Sequence, residues 1–433
     1  LNLFDSLSKK RQAVTFDELT LEDQPSNIRP ADASLNTFVT TKIQLKIPII
    51  SAAMDTVTER ELALAMAKAG GLGVLHRNLS IEEQVDALKW VRRKIHSGGM
   101  IDRPICFSPT QRISDLQERV EREGFSFSSF PIVDDEGRFV GLITRDEVDF
   151  AEGKNVQLGS VMKKRSHVIT TLEGTETMQA YDIMKREMVK KLPVVDKNDR
   201  LLGMYVWRDV SADRQHTKTF ILDDEGHFLV AAAVGCGSES ELKRAEALIE
   251  AGARVLVIDS SHGACKDARD LLHLLKKEHG PKLQIIVGNI ASYKSAKYLL
   301  EAPSVDLLPD GLKVGIGPGS ICTTRRVSGH GVPQMTAIFE VAKAVREANV
   351  KPVPVIADGG IRCSGDVVKC FAVGASCVML GSMLAGTQES AGRVVKRGTK
   401  LYKTYRGMGS AGAMAERSGS RMRYQADVSD APT

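Results

Sequence analysis

The sequence has little that would indicate a secreted, membrane-bound or nucleic-acid-binding protein. Its seven cysteines are an odd number without a Cys-x-x-Cys pair, which argues against a disulfide framework or a structural zinc site and for free thiols in a reducing compartment. No apolar run reaches the roughly 18 residues that a membrane-spanning helix needs. A net charge of +5 is small for this length and gives no case for nucleic acid. The first residues, LNLFDSLSKKRQ, are too polar for a signal peptide, so we expect a cytoplasmic protein.

Length and composition indicate a globular protein with more than one domain. The chain has 433 residues, of which 42% are hydrophobic and 26% are charged. These fractions are ordinary for a globular protein, but the length exceeds what a single compact core usually accommodates.

Short apolar runs recur along the chain, each closing near Gly, Ser, Asp or Asn. Runs that are apolar throughout are typical of parallel strands buried on both faces. The predicted strands are Ile47–Asp55, Gly70–His76, Phe228–Gly235, Val255–Ser261, Leu283–Ile290, Gly311–Gly317, Pro354–Gly360 and Cys377–Met383.

Helical patterns lie between most of these strands. Apolar residues at three- and four-residue spacing predict helices over Glu61–Ala69, Ile81–Arg93, Glu241–Ala251, Lys266–Glu278 and Gly365–Val373. Ser80 with Glu83, and Ser238 with Glu241, predict capping boxes. The alternation predicts an α/β fold, a (β/α)8 TIM barrel, with a doubly wound open sheet as the alternative. We find no eighth helix and expect a segment beyond Thr433.

An internal repeat occupies part of the long segment between the second and third strands. FPIVDDEGRFVGLITRDEV (Phe130–Val148) and LPVVDKNDRLLGMYVWRDV (Leu192–Val210) share their Pro and Gly spacing. Each copy reads as a strand, a polar turn, a strand and a basic–acidic pair that begins a helix. A repeat of about 60 residues that occurs twice predicts two similar modules packed together. We therefore predict an inserted α+β domain at 104–214, between barrel parts at 1–103 and 215–433.

The C-terminal ends of the strands, where barrel enzymes place their active sites, carry the unusual residues of this sequence. The sixth strand leads into Gly315–Thr324, GIGPGSICTT, a glycine-rich loop whose backbone can approach a ligand closely. Cys322 in this loop is a candidate nucleophile if its thiolate is stabilised. The alternative is an inert small side chain.

Three further strand ends are polar. Strands seven and eight end in Asp358–Gly360 and Gly381–Ser382, where barrel enzymes commonly bind phosphate. The alternative is tight turns that need glycine. Asp358 can accept hydrogen bonds from a ribose diol or cap the next helix, although Ser364 and Asp366 are better placed for capping. Strand four ends in Asp259–Gly263, a cluster suited to a second ribose, with His262 as a supporting donor.

These loops resemble those of the inosine-5′-monophosphate (IMP) dehydrogenase and guanosine-5′-monophosphate (GMP) reductase family. The resemblance runs from Thr15 to Tyr424, and the inserted repeat resembles a CBS pair (Bateman module), which binds adenine or guanine nucleotides. The motifs are SAAMDTVTE (Ser51–Glu59), GIGPGSICTT, ADGGI (Ala357–Ile361), LGSMLAGT (Leu380–Thr387) and YRGMGS (Tyr405–Ser410).

The resemblance implies roles at matching positions. The implied catalytic residues are Cys322, Thr324, Arg423 and Tyr424. Cys322 adds to C2 of the purine, and Thr324 lies beside it. Arg423 and Tyr424 match a dyad on the family's mobile flap, where the arginine activates water. The alternative, from the residues alone, is that Arg423 belongs with Arg417 and Arg421 to a solvated basic tail. The implied substrate contacts are Ser320, Asp358, Gly360, Gly381, Ser382, Tyr405, Met408 and Gly409. The implied dinucleotide contacts are Asp259, Ser260, Ser261, Asn289 and Gly315. A potassium site is implied at the carbonyls of Gly317, Gly319 and Cys322.

In the CBS pair, Thr144 and Asp146 match the family's Thr-x-Asp ribose contact. The second copy has Val206 or Trp207 near the threonine position and keeps Asp209. The family implies ATP or GTP as regulators and tetramers that pair into octamers. The alternative is a module used only for dimerisation.

The resemblance leaves two directions of reaction open. The dehydrogenase oxidises IMP to xanthosine monophosphate with NAD, whereas the reductase converts GMP to IMP with NADPH and releases ammonia. Ala411 stands where the reductase has a glutamate, which together with Arg423-Tyr424 favours the dehydrogenase. A non-catalytic nucleotide sensor is disfavoured by the joint presence of Cys322, Asp358 and Arg423. We expect the other six thiols to be buried or remote from the site.

Overall fold

The computed structural model describes residues 12–92, 95–96, 100–102, 104–123, 129–151, 153, 155–216, 219–348, 350–410 and 413. It divides the chain into two compact units. The first unit comprises Leu1–Arg92, Thr219–Asp223 and Phe228–Thr433, and the second comprises Arg93–Lys218 and Asp224–His227. Among the described residues, no helix combines the length and the apolar character needed to cross a bilayer.

Eight parallel strands close into a barrel in the first unit, which confirms the predicted TIM barrel over the open sheet. Almost every strand residue is buried, because the strands are covered by helices outside and pack their side chains inside. The strands are β1 (Ile49–Ser51), β2 (Leu72–Leu75), β3 (Ala231–Val234), β4 (Val255–Asp259), β5 (Gln284–Ile290), β6 (Gly311–Val314), β7 (Val355–Asp358) and β8 (Cys377–Leu380). β8 pairs with β1 and β2 pairs with β3, so the second unit is inserted between neighbouring strands.

Seven helices of eight or more residues follow the strands among the described residues of this unit. They are α1 (Arg60–Ala69), α2 (Ile81–Val91), α3 (Glu239–Glu250), α4 (Lys266–His279), α5 (Tyr293–Leu300), α6 (Gln334–Glu347) and α7 (Ser364–Ala372). The predicted helices did not include α5 and α6. Shorter elements are the helices Thr324–Val327 and Ser382–Ala385, the 3-10 turns Phe16–Glu18, Pro30–Asp32, Gly280–Lys282 and Val305–Leu307, and the hairpins Thr37–Phe38 with Gln44–Leu45 and Val394–Arg397 with Lys400–Lys403.

One of the two predicted capping boxes is present. Ser80 accepts a hydrogen bond from the Glu83 amide at 3.1 Å, and Glu83 accepts one from the Ser80 amide at 2.8 Å. The box at Ser238 and Glu241 was a wrong prediction. Glu241 is only 2% exposed and binds the Gly235 amide and the Arg77 guanidinium instead. A buried carboxylate must be paired, and the cation that pairs with it, Arg77, lies beside Gly235 in the loop after β3.

The second unit contains two modules built around the repeated hairpins. The first module has strands Ser129–Val133, Phe139–Thr144 and Lys163–Lys164 and helices Ile113–Glu123, Arg145–Asp149 and Leu158–Val161. The second module has strands Ile95–His96, Met100–Asp102, Thr171–Leu172, Lys191–Val195 and Leu201–Val206, helices Thr177–Arg186 and Trp207–His216, and the 3-10 turn Arg165–His167. Asp102 pairs with Gly203, so the unit begins before the predicted boundary at 104.

The two modules contact each other through the turns of their hairpins. The Phe139 amide donates to the Asp199 carbonyl at 2.8 Å, and the Leu201 amide donates to the Gly137 carbonyl at 3.1 Å. These reciprocal bonds border an apolar cluster formed by Phe139, Leu142, Val195, Met204 and Val206. The repeat in the sequence therefore becomes a pseudo-symmetric pair in the structure.

Candidate active site

A cavity of about 760 Å³ lies at the C-terminal ends of the barrel strands. This volume is in the range of small-molecule sites. The lining includes every described residue that the sequence assigned to catalysis, substrate, dinucleotide or potassium: Cys322, Thr324, Ser320, Asp358, Gly360, Gly381, Ser382, Tyr405, Met408, Gly409, Asp259, Ser260, Ser261, Asn289, Gly315, Gly317 and Gly319. Arg423, Tyr424 and Ala411 lie outside the described residues.

A buried lysine on β6 that the sequence analysis missed lies at the base of this cavity. The Lys313 ammonium contacts Asp259 at 3.0 Å, Asp358 at 2.9 Å and the side-chain oxygen of Asn289. Its side chain is only 3% exposed, so the charge must be matched by these neighbours. We call Lys313, Asp259, Asn289 and Asp358 the Lys313 cluster. It joins the ends of four consecutive strands, β4 to β7.

The amide of Asn289 links the cluster to the loop after β6. Its nitrogen donates to the Gly315 carbonyl at 2.7 Å and to Asp358 at 2.9 Å, while its oxygen accepts from Lys313. Gln334 of α6 donates to the carbonyls of Val314 at 2.9 Å and Asp358 at 3.1 Å. Asp358 uses the same carboxylate oxygen for Lys313 and Asn289, and its side chain is 20% exposed. The carboxylate is therefore fixed in place while it still faces the cavity.

Glycine is required where the loops after β6 and β7 meet. Gly315 has φ +151°, and a Cβ there would lie 2.0 Å from the Asp358 carbonyl oxygen. Gly360 has φ +80°, and a Cβ there would lie 3.2 Å from Pro318. Any other residue at Gly315 would force the two backbones apart. The predicted close approach of the backbone is thus present, and it fixes the position of the segment after Gly315.

Cys322 lies on that segment with its thiol at the cavity. The thiol donates to the Thr324 hydroxyl at 3.2 Å, and the Cys322 amide donates to the Gly319 carbonyl at 3.0 Å. The residue is half-buried, unlike Cys370 and Cys377, which are buried. A thiol that is accessible and oriented by a turn can act as a nucleophile. The geometry therefore favours the reactive interpretation of Cys322 over the inert one.

The cavity lining also carries neutral hydrogen-bond donors. Gly381 and Ser382 begin a short helix after β8, and the Tyr405 hydroxyl is hydrogen-bonded to Ser382. Burial raises the pKa of Tyr405, and the charge of Asp358 raises it further. Tyr405 therefore stays protonated near neutral pH. Together with the backbone at Gly360, these groups are suited to an anion such as phosphate.

The start of α7 has no side-chain cap. Its N-cap residue is Cys363, which makes no side-chain hydrogen bond to the helix, so neither Ser364 nor Asp366 takes the predicted capping position. Asp366 accepts from the amide of Arg362, before the helix, at 3.0 Å, and Arg362 also binds Asp17. The hydrogen bond from Arg362 holds the pKa of Asp17 below its usual range. Asp358 remains with the Lys313 cluster.

Cys236 and Cys265 are two of the thiols expected to be buried or remote from the site. Neither is in the cavity lining, but both are half-buried. The Cys236 thiol lies close enough to Cys265 and Ser260 for both to shift its pKa, and Ser260 lines the cavity. Sequence patterns did not indicate this pair, because the two residues follow different strands.

In the second unit, the structure also revises how the two repeats correspond. Thr144 pairs with Ser129 in one hairpin, and Val206 pairs with Lys191 in the other, so Val206 is the counterpart of Thr144. Counting onward, Arg208 corresponds to Asp146 and Asp209 corresponds to Glu147. The aspartate predicted to be kept in the second copy therefore stands one position away. Thr144 itself caps the following helix and donates to Glu147, while Asp146 is exposed.

Comparisons with known proteins identify relatives of this chain. The IMP dehydrogenase / GMP reductase domain matches residues 13–432. The IMP dehydrogenase of Mycobacterium tuberculosis is 43% identical over 418 residues, covering 96% of this chain and 76% of that protein. The Aquifex aeolicus IMP dehydrogenase is 40% identical over 410 residues, covering 94% and 81%. A crystal structure of Trypanosoma brucei GMP reductase with guanosine 5′-monophosphate has a TM-score of 0.80 and 34% identity, covering 96% of this chain and 85% of that chain. The chain belongs to the IMP dehydrogenase / GMP reductase family.

Proposed function

We propose that this protein is an NAD-dependent IMP dehydrogenase that works through a covalent bond to Cys322. The observation that carries the proposal is that the Cys322 thiol and the Lys313 cluster line the same cavity. Family membership supports an oxidoreductase of purine nucleotide metabolism, and the cavity supplies a nucleophile, carboxylates for ribose hydroxyls and donors for phosphate.

In the proposed complex, the nucleotide spans the cavity from Tyr405 to Cys322. Its phosphate accepts hydrogen bonds from Ser382, Tyr405 and the backbone at Ser320, Gly360 and Gly381. The exposed face of Asp358 binds the ribose hydroxyls, because its other contacts already hold the carboxylate. Met408 and Gly409, which line the cavity, flank the base and leave C2 beside Cys322.

The proposed chemistry begins with addition of the Cys322 thiolate to C2, which forms the S–C2 bond and places the electron pair of the C2–N3 double bond on N3. Collapse of that pair re-forms the double bond and expels the C2 hydrogen as hydride. Bound NAD supplies the hydride acceptor. Water then adds to C2, the C2–S bond breaks, and xanthosine monophosphate and the free thiol result. Arg423, as the resemblance implies, would activate this water.

The residues proposed for NAD fit a ribose-bearing ligand. Ser261 is exposed and Ser260 is half-buried on the cavity wall, so their hydroxyls are accessible. Asp259 and Asn289 lie behind them in the Lys313 cluster, and Gly315 completes the surface. Ser260 and Ser261 would hold a ribose of NAD through these hydroxyls.

The proposed potassium site also fits the donors present. Gly317, Gly319 and Cys322 belong to one loop and offer neutral carbonyl oxygens, which suit a weakly charged, hard cation. The Gly319 carbonyl accepts the Cys322 amide at 3.0 Å, and a carbonyl oxygen has a second lone pair for an ion. A cation held there would stabilise the loop that carries the nucleophile.

GMP reductase is the second candidate, because the structure is similar to that of the Trypanosoma brucei GMP reductase bound to guanosine 5′-monophosphate. Both reactions would use Cys322 at C2. They differ in the change at C2: the dehydrogenase reaction removes a hydride from this carbon, whereas the reductase reaction adds a hydride and releases ammonia. Ala411 stands where the reductase has its glutamate. We therefore place the dehydrogenase first.

Parallel assays should decide the direction. With IMP and NAD, the protein should produce NADH, whereas with GMP and NADPH it should show no consumption of NADPH. Cys322→Ala should abolish turnover in either assay yet still bind the nucleotide, since the phosphate and ribose contacts come from other loops. Cys363→Ala, which removes an exposed thiol, is the control and should retain turnover. Near-normal activity of Cys322→Ala would falsify the covalent mechanism, and turnover with GMP and NADPH alone would establish the reductase.

The Lys313 cluster can be tested against a matched buried ion pair. Lys313→Met leaves the buried Asp259 and the half-buried Asp358 without their shared cation, which should cost about 3–5 kcal/mol of stability and lower kcat/KM by about 100-fold or more. Lys276→Met is the control, because Lys276 is 6% exposed and pairs with Asp310 at 2.8 Å outside the cavity lining. Urea unfolding and steady-state kinetics at a temperature where both variants are folded make the comparison. Equal kcat/KM for the two variants would show that the cluster has only a structural role.

We also propose that the second unit is a CBS pair that binds purine nucleotides and adjusts activity or the assembly of tetramers into octamers. The two packed modules and the Thr144-x-Asp146 sequence support this. In the second copy, Val206 and Arg208 occupy the corresponding positions, so only Asp209, one position away, remains for ribose contact. We expect the first copy to bind more tightly.

Calorimetric titration of the full-length Cys322→Ala protein with ATP and GTP tests this site, with IMP at saturation so that the barrel cavity is filled. Asp146→Ala should weaken binding about tenfold or more, equivalent to about 1.4 kcal/mol. Asp149→Ala removes another exposed carboxylate of the same helix and should bind as the parent does. Absence of heat with either nucleotide at millimolar concentration would leave the unit with a dimerisation role.

A further inference from the structure

Two cysteines from different loops meet beside the barrel cavity. Cys236 follows β3, and Cys265 immediately precedes the 14-residue helix α4. The loop around Gly237 packs against the first turn of this helix, since a Cβ on Gly237 would lie 2.7 Å from the Asp267 carboxylate. The two thiols lie close enough to each other for each to shift the pKa of the other. Both are half-buried, so a small oxidant can reach them.

The two thiols have opposite acid–base properties. The hydrogen bond from Cys236 lowers the pKa of Cys265 to about 6, and the Ala268 amide and His262 lower it as well, although burial raises it. The same hydrogen bond and burial raise the pKa of Cys236. Cys265 is thus the thiolate and nucleophile at neutral pH, and Cys236 is the neighbouring thiol in position to resolve an oxidised Cys265.

We propose that Cys236 and Cys265 form a redox-modification site that closes to a reversible disulfide in the presence of hydrogen peroxide. The Cys265 thiolate attacks one peroxide oxygen, breaks the O–O bond and becomes a sulfenic acid, while the departing hydroxide takes up a proton to form water. The Cys236 sulfur then attacks the Cys265 sulfur, its proton leaves with the sulfenic hydroxyl as a second water, and the S–S bond forms. Two thiols and one peroxide thus give one disulfide and two waters.

This disulfide would act on the part of the cavity proposed to bind NAD, and this consequence rests on the proposed function. In the reduced form, the Cys236 thiol lies beside Ser260, whose hydroxyl donates to the His262 carbonyl at 3.3 Å. The Ser260 amide donates to the Gly288 carbonyl at 2.8 Å, and its carbonyl accepts from the Asn289 amide at 2.9 Å. Joining the two sulfurs draws Cys236 toward Cys265 and away from Ser260. Ser260 and Asn289 are thereby disturbed, whereas Cys322 and the phosphate donors lie on other loops.

Mass spectrometry of the full chain tests the disulfide without any need for turnover. Cys322→Ala protein, which lacks the catalytic thiol, is treated with graded hydrogen peroxide, alkylated and digested without reductant. We expect a peptide pair linked through Cys236 and Cys265, with the loss of two hydrogen atoms and reversal by dithiothreitol. Cys236→Ser in the same background should give no linked peptide and a Cys265 oxidised to sulfinic acid. A Cys265 that accumulates sulfinic acid while Cys236 stays free in the parent would overturn the proposal.

Kinetics of the protein with Cys322 intact then test the consequence. Oxidation with IMP bound, which shields Cys322, should raise the KM for NAD about threefold or more with a smaller change in kcat, and dithiothreitol should reverse the change. Cys236→Ser should be insensitive to this treatment, and Cys363→Ser should respond as the parent does. A linked pair with an unchanged KM for NAD would overturn the connection to the dinucleotide region. If the reduced protein shows no turnover, the proposed function is contradicted but the disulfide is not, since the linked peptide is detected by its mass.

Discussion

The buried ammonium of Lys313 is the interaction on which the arrangement of the cavity depends. It neutralises Asp259 of β4 and Asp358 of β7, and it fixes the Asn289 amide of β5. Asn289 in turn holds the Gly315 carbonyl, and the contact of Gly315 with the Asp358 backbone sets the course of the Cys322 loop. One charge thus links the proposed ribose contacts to the position of the nucleophile.

The cavity combines charged and neutral groups. The Lys313 cluster and Cys322 line it together with Gly360, Gly381, Ser382 and Tyr405, and the raised pKa of Tyr405 keeps a neutral donor among them. A ligand with an anionic end, a diol and an electrophilic ring suits this combination. The Cys236–Cys265 pair adjoins the cavity through Ser260, which gives a physical route from oxidation to the dinucleotide contacts.

Apolar runs and glycine-rich strand ends predicted the barrel and its eight strands, because they are local signals. Most of the residues around the cavity were implied by the family resemblance. What the sequence patterns missed depends on partners distant in sequence. Lys313 stands within the apolar run Gly311–Gly317 and could have been noticed as a charge in a buried strand, but its partners could not be identified. Glu241 matched a capping box locally, yet burial beside Arg77 decided its contacts. Strand register, which sequence alone left ambiguous, made Val206 rather than Trp207 the counterpart of Thr144.

The most direct measurement of the central claim is the mass of the Cys322 peptide from enzyme quenched in acid during steady turnover of IMP and NAD. The covalent account predicts a peptide that carries the purine monophosphate, that appears only when both ligands are present and that disappears when IMP is exhausted. Steady production of NADH with the Cys322 peptide unmodified at every quench time, and with Cys322 alkylated as fast as in the absence of IMP, would contradict the account.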